Sequence, residues 1–532
     1  MEKLKNFIIQ NKKTLFWIMV WFYYSFFSVL IYYDSGHYLG LVKILEGKAP
    51  MSSWDIVRGP VFPLMIYLSR RVFGTSSYGL LITTFISYAL MIVVVNKILT
   101  KVSESISNKG VRTVFVAGTV FFIVFNPIVF GYYHALLTEF IAITIAICMC
   151  YYAWKWIDDE YILSKKKYIF STLIFAFLTV FTWNLKQPYV VIVVFPLLFA
   201  IVISIAQNFK LKSVLHRFGT LLICVVCLSL SMNLWNGFLT SKGLDLVNTD
   251  RNAVQNLGTQ VLCGSKNMLK LEPSQFETLT EEDYKMFSPE ELKVIKNHEY
   301  GIDYYVVDVM SPNREVLDHK VVDFSGSHSL SLAKSLGFVL TTFFEYPYEV
   351  VEGYLTSYLK LSGIYKKDEA TGIVIKDFSL FNAYENNAIG VGILEPKDNI
   401  FYMTEELRSN TAGYEGRNHP PFFLRAILNP TVSFFIPYYA VSMLLLPFLF
   451  VVSVVLRISK RKKFVESKKK EYNLLIILLG FSLLNALVYV ATNATIDRYA
   501  AVGIIPITIS IAIYLKNIVE HFMFKKSISE NE

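Results

Sequence analysis

Residues 168–206 read YIFSTLIFAFLTVFTWNLKQPYVVIVVFPLLFAIVISIA. Two apolar runs, 168–185 and 188–206, flank a short NLKQP turn, and Lys186 in that turn is the only charged residue of the stretch. A helix rises about 1.5 Å per residue, so crossing a hydrocarbon layer roughly 30 Å thick takes about 20 mainly apolar residues. Each run is close to that length, and the pair reads as an antiparallel helical hairpin in a membrane. Outward from it, further segments of the same kind bring the expected number of spans to about ten: 14–33, 75–99, 113–130, 134–153, 168–185, 188–206, 218–239, 433–456, 472–492 and 499–518. The first is not read as a cleaved signal peptide, because its apolar part is long and aromatic-rich and no small-residue cleavage site follows.

The composition agrees. Of 532 residues, 54% are hydrophobic and only 17% charged, against about 25% charge in a soluble domain. A soluble enzyme, a disordered chain and a nucleic-acid-binding domain are excluded on that ground. Four of the five cysteines lie in apolar runs, and the lone CxxC, Cys224 with Cys227, falls inside a span without a second pair. Small apolar helix residues are the better reading than a redox or zinc site.

The net charge of +9 is an orientation signal rather than a nucleic-acid footprint. Short cytoplasmic loops collect Lys and Arg. With the N-terminus cytoplasmic, ten spans put six basic sets on one side: Lys3 to Lys13, Lys101 to Arg112, Lys155 to Lys167, Lys210 to Arg217, Arg457 to Lys470, and Lys525 with Lys526. These sets also favour contact with anionic membrane lipids. The expected architecture is an α-helical polytopic protein of the cell membrane with both termini cytoplasmic. An N-terminal membrane module, 1–239, holds spans one to seven and an outer loop, 34–74. A mixed extracytoplasmic domain, 240–432, is inserted between spans seven and eight. Residues 433–532 form spans eight to ten and a tail. Within 240–432, the apolar piece 332–361 is interrupted by Glu345, Pro347, Glu349 and Glu352, and reads as amphipathic helices on the membrane surface.

Charge at membrane depth is costly and usually functional. Asp34 follows span one, Glu139 lies about a turn into span four, Lys186 sits in the hairpin turn, and Asp497 and Arg498 open span ten. The topology puts these places on the outer side, where a bundle gathers Asp34, Glu139, Lys186 and Arg498 round one cleft as two carboxylates and two cations, with several aromatics. A carboxylate takes a proton from a hydroxyl; cations hold a phosphate and stabilise it as it leaves. With no nucleotide outside the cell, a phosphate-linked donor there is carried by a lipid. Tyr38, Tyr132 and Tyr133 fit the aromatic belt of a membrane protein.

Four short motifs sharpen this. Asp34 stands after span one with Tyr38 beyond it; Arg58-Gly-Pro60-Val-Phe-Pro63 precedes span two; Leu137-Thr138-Glu139 follows span three; and Arg498-Tyr499 heads the last span, with Pro506 further on. In their order and common sidedness they resemble the GT-C superfamily, the polytopic glycosyltransferases that use polyprenyl-phosphate-linked sugars and include protein O-mannosyltransferases and aminoarabinose lipid A transferases. The long segment 240–432 matches no subgroup, and the DSGHY context of Asp34 differs from the Asp-Glu pair of the O-mannosyltransferases.

The resemblance implies transfer of a sugar from a polyprenyl-phosphate donor to a cell-wall polymer, lipid or protein, in one inverting displacement. It makes Asp34 the general base, with Glu139 orienting the acceptor or sharing a divalent metal with Asp34. No cofactor is required by it, since several relatives need no metal. It makes Arg498, Lys186 and Arg58 ligands of the donor phosphate. Tyr38, His37 and His134 become acceptor or sugar contacts, although lone histidines near an interface usually have structural partners. The alternatives are a flippase or transporter for lipid-linked sugars, a glycan polymerase or ligase, and a non-catalytic sensor or assembly subunit. A transporter calls for matching halves, which the sequence lacks.

Overall fold

The computed structural model describes residues 2–244 and 422–529, apart from 28, 32, 56–57, 75–76, 159–161, 208–209, 460–465 and 492–499, together with a few positions between 344 and 375. Most of the expected outer domain 240–432, and Asp497 and Arg498, lie outside the described residues.

The described chain is almost wholly helical. Its first half comprises α1 (Glu2–Ser25), α2 (Tyr33–Leu45), α3 (Val61–Phe73), α4 (Ser77–Val102), α5 (Lys109–Val124), α6 (Pro127–His134) and α7 (Glu139–Trp156). Next come α8 (Lys165–Leu185), α9 (Val191–Gln207) and α10 (Leu211–Ser241), then α11 (Phe422–Ser459), α12 (Glu466–Ala491) and α13 (Ile504–Ser529). A two-residue antiparallel ladder pairs Lys366 with Ile375 and Lys367 with Val374.

Seven helices among the described residues are long and apolar enough to cross a membrane, or eight if the bent pair α5–α6 counts as one span. This is the architecture of an α-helical membrane protein. The seven correspond to the expected spans 75–99, 168–185, 188–206, 218–239, 433–456, 472–492 and 499–518. The hairpin of the opening stretch is α8 and α9, joined by a 3₁₀ turn over Gln187–Val190.

The N-terminal third departs from the expected boundaries in three places. The apolar run 14–33 is not one helix: α1 stops at Ser25, and the chain turns to a backbone pairing in which Leu30 bridges Ala135 in parallel. Leu30 N donates to His134 O at 2.8 Å and Leu136 N to Leu30 O at 2.9 Å. The run 113–130 breaks at Asn126, whose side chain accepts from the Ile128 and Val129 amides, with Pro127 opening α6. Asn at an N-cap and Pro at the first helical position start a helix, and the new one bends 52° from α5. In place of the expected span 134–153 stands α7, which begins later, at Glu139, and is not among the seven. Leaving the helix exposes amides and carbonyls that membrane interiors penalise; the mutual Leu30–Ala135 bridge answers that need.

Helix α7 forms the centre. It packs against α4, α9 and α12, and from Glu139 through Ile147 every residue is buried. Helix α12 is similarly enclosed, with 78% of its apolar window inside the protein, while α10 has only 11% and presents Leu222, Leu230 and Leu234 outward. Tyr38, 3% exposed, departs from the belt reading, as do Tyr132 and Tyr133. The last two are fully buried; Tyr133 shares a hydrogen bond of 2.7 Å with Thr144, and Tyr24 donates to the Tyr133 carbonyl. A buried tyrosine hydroxyl needs such a partner, and here the partners lie on neighbouring helices.

Arg217, grouped by sequence with the loop cations, is also internal, with 1% of its surface exposed. Its guanidinium donates to the Trp156 and Ile157 carbonyls at 2.9 and 2.8 Å and to Ser213 Oγ at 2.6 Å. The last carbonyls of α7 lack helical partners, and Arg217 supplies them from α10. Cys148, Cys150, Cys224 and Cys227 are free thiols.

Candidate functional site

The Leu30–Ala135 bridge sets the geometry of the site. Four residues beyond Leu30 stands Asp34, in the first turn of α2, and four beyond Ala135 stands Glu139, the first residue of α7. Ser35 Oγ donates to the Leu136 carbonyl at 2.8 Å and docks the start of α2 beside the start of α7. Two carboxylates are thereby brought to two adjacent helix N-termini, where backbone amides and the helix dipole favour negative charge. Asp34 is thus a helix-start residue that does not follow directly on the first helix, which ends at Ser25, and Glu139 begins α7 instead of lying a turn inside a span.

Each carboxylate faces a cation. Arg58 Nη2 lies 2.8 Å from Asp34 Oδ1, and Arg58 Nε lies 2.9 Å from Asp55 Oδ2. The guanidinium also stands over the Tyr38 ring, 4.8 Å from its centroid. Burial works against the Arg58 charge, but Asp34, Tyr38 and Asp55 outweigh it and hold its pKa above the ordinary guanidinium value. In the second pair Lys186 Nζ is 3.8 Å from Glu139 Oε1, with the carboxylate almost wholly buried. Lys186 also faces the Tyr189 ring at 5.6 Å, and Thr138 Oγ1 reaches Glu139 Oε2 at 3.4 Å and Tyr189 Oη at 3.3 Å.

The pairs belong to one site, centred on Tyr38. Burial raises the Tyr38 pKa; Lys186 and Arg58 lower it, while Asp34 and Glu139 add to the rise. All four charges therefore act on one buried phenol, whose ring packs edge-on against Phe62 at 4.7 Å.

A close approach joins the Arg58 loop to the Lys186 turn. A Cβ on Gly59 would overlap the backbone carbonyl of Asn184, so glycine is required there. Asn184 Nδ2 in turn donates to Val180 O and Ser231 Oγ, and Trp54 Nε1 donates to Arg58 O at 3.0 Å. Gly59→Ala is expected to push the loop off Asn184 and to destabilise the protein by about 1–3 kcal/mol, the range for overpacking. The thermal midpoint of the detergent-solubilised protein checks this; an unchanged midpoint would show that the contact does not position the loop.

Of the residues singled out by sequence, Asp34, Arg58, Tyr38, Glu139 and Lys186 come together. His37 stands half-buried on α2, one turn from Asp34. His134 sits apart: it is fully buried, its Nδ1 facing the Phe130 carbonyl at 2.9 Å and its Nε2 the Tyr24 carbonyl at 3.1 Å, amid the rings of Tyr24, Phe27 and Phe130. Arg498 lies outside the described residues. Two participants escaped the sequence reading, Asp55 and Tyr189, while Gly59 enters it as the middle of the Arg58-Gly-Pro60 motif. Asp55, three residues before Arg58, was the one open to detection.

A divalent ion held by Asp34 and Glu139 would have to displace a cation from each, and among the described residues no three His, Cys, Asp or Glu side chains gather as a ligand set. The donors present do not make a metal centre.

Fold and site define an α-helical membrane protein with a half-buried cluster of paired charges at the starts of α2 and α7. Comparison with known proteins finds no matching family model, curated protein or solved structure.

Proposed function

We propose that this chain is an integral-membrane glycosyltransferase that moves a sugar from a polyprenyl-phosphate carrier to an acceptor hydroxyl at the outer face of the membrane. The observation that carries the proposal is the convergence of two carboxylates and two cations around Tyr38. In this reading about ten spans cross the cell membrane, both termini are cytoplasmic, and 240–432 is an extracytoplasmic domain that recognises the acceptor, be it glycan, lipid or protein.

The charges are paired so that a donor phosphate exchanges partners with them. A lipid phosphate arriving at Arg58 and Lys186, with Arg498 from the head of the last span, competes with Asp34 and Glu139 for the same cations. Arg58 suits this exchange, since its fork meets carboxylate and phosphate alike. Asp34, released, takes the proton of the acceptor hydroxyl. The acceptor oxygen bonds to the anomeric carbon from the face opposite the phosphate, and the carbon–oxygen bond to phosphate breaks. Its electron pair leaves on the phosphate, whose charge these cations stabilise. Glu139 orients the acceptor from the start of α7.

The test is transfer from a radiolabelled polyprenyl-phosphate sugar by the purified, detergent-solubilised chain. Time-dependent appearance of acceptor-linked label supports the proposal. Movement of the intact lipid-linked sugar across a vesicle bilayer without any cleavage of the sugar–phosphate bond would replace it with a flippase.

A further inference from the structure

The end of the bundle opposite the carboxylate site carries a second built feature. Helix α7 runs from Glu139 to Trp156, so at 1.5 Å per residue its ends are roughly 27 Å apart. At its far end a cavity of 1220 Å³ opens among α4, α7, α8, α9 and α12. Ligand sites usually hold about 300–1,000 Å³, so this space takes a headgroup and part of a chain.

Six lysines line it: Lys97, Lys101, Lys155, Lys167, Lys210 and Lys470. Lys97 and Lys101 lie one turn apart on α4, and the other four come from separate helices and loops far apart in sequence. Against them stand two acids, Glu104 and Asp158, and Glu104 lies 2.6 Å from Lys101 Nζ. The wall also holds Tyr151 and Trp154. Lys155 Nζ sits 4.5 Å from the Tyr151 ring centroid, and Trp154 Nε1 donates to the Lys470 carbonyl at 2.8 Å. A second cavity of 320 Å³ shares Lys101, Glu104, Trp154 and Lys470 with the first and reaches Glu471, the buried partner of Lys516.

Basic loops facing the cytoplasm require no cavity. Lysines on a flat surface turn outward into water and meet no common partner. The six here are solvent-exposed too, but they border one concave, open space with a surplus of positive charge, and such a space concentrates the field on whatever enters it. An aromatic wall beside the lysines suits a ligand that is apolar on one side and charged on the other.

We infer that this cavity is a binding site for a phosphate or diphosphate group, carried by an amphiphile that enters from the bilayer or by a soluble anion. The site stands at the other end of the bundle from the proposed transfer chemistry and does not depend on it.

The experiment titrates the full chain, in nanodiscs of neutral phosphatidylcholine, separately with short-chain phosphatidic acid and with inorganic pyrophosphate. Binding is measured for wild type, Lys97→Gln/Lys155→Gln, Lys155→Gln alone and Lys48→Gln. Lys48, exposed like the six lysines of the cavity, lies outside it and is paired with Glu46. Wild type is expected to bind, and the double variant to bind about tenfold more weakly, as lost charge-assisted hydrogen bonds imply, with Lys48→Gln unchanged. Lysine-dependent binding of phosphatidic acid alone assigns a lipid source, and of pyrophosphate a soluble one; both support the site. Should the double variant fail to fold, Lys155→Gln carries the comparison. Absence of binding by both probes, or losses equal in Lys48→Gln, overturns the inference. Transfer activity is read separately, so failure here leaves the function proposal standing and failure there leaves this one.

Discussion

Asp34→Asn lowers sugar transfer from a polyprenyl-phosphate donor by about 10²–10⁴-fold, the contribution of a positioned general base, and leaves the thermal midpoint close to wild type. Asn keeps the size of Asp and can still accept a hydrogen bond from Arg58, which lies 2.8 Å from Asp34 Oδ1. Arg58 also keeps Asp55 at 2.9 Å, so its own position has a second support. What Asn cannot do is take a proton. The structural and catalytic parts of the residue are thereby separated. The measurement is single-turnover transfer by the purified variant, beside its melting curve. Wild-type turnover would remove Asp34 from the chemistry. Lost turnover with a melting point many degrees lower would mean that Asp34 holds α2 in place and nothing more.

Arg217→Met destabilises the protein by roughly 2–6 kcal/mol, because two buried carbonyls lose their donor at about 1–3 kcal/mol each. The side chain is 1% exposed, and it caps the C-terminal end of α7 through Trp156 and Ile157 while reaching Ser213 on its own helix. Met fills much of the volume and restores none of these bonds. Arg217→Lys retains the charge but, as a single ammonium group, replaces the planar fork poorly, and an intermediate loss is expected. The thermal midpoints should therefore rank wild type above Lys above Met. Equal midpoints for all three would mean that water or lipid satisfies the α7 carbonyls without Arg217. Since α7 carries Glu139 at its other end, the Met variant is also expected to lose activity.

The sequence made the helical membrane architecture legible through uninterrupted apolar runs, which in a membrane protein carry most of the fold. Asp34, Glu139 and Lys186 stand out for the same reason, as charges where charge is scarce, while Arg58 is marked by the Arg58-Gly-Pro60-Val-Phe-Pro63 motif. The segmentation of the first third was less open. Asn126 with Pro127 is a readable helix start, and reading it as such divides 113–130 correctly. The end of α1 at Ser25 is not readable in that way. Residues 26–33 are as apolar and aromatic as those before them, yet among the described ones Leu30 pairs with Ala135, more than a hundred positions away, instead of continuing the helix. The same bridge brings Asp34 and Glu139 together, so their neighbourhood is a tertiary fact with no local signal. His134 drew attention as a polar residue in an apolar run, yet its ring nitrogens face the carbonyls of Phe130 and Tyr24 within the core. Arg217 misled by lying beside loop cations, when its place is inside the bundle.

The most direct test of a phosphate-exchanging site is an experimental structure of the chain with a polyprenyl phosphate bound. The account predicts the phosphate within hydrogen-bond reach of Lys186 and Arg58, with the Arg58 guanidinium moved off Asp34 and Asp34 open to the acceptor side. A phosphate bound elsewhere, with the Asp34–Arg58 and Glu139–Lys186 pairs still closed, would contradict it.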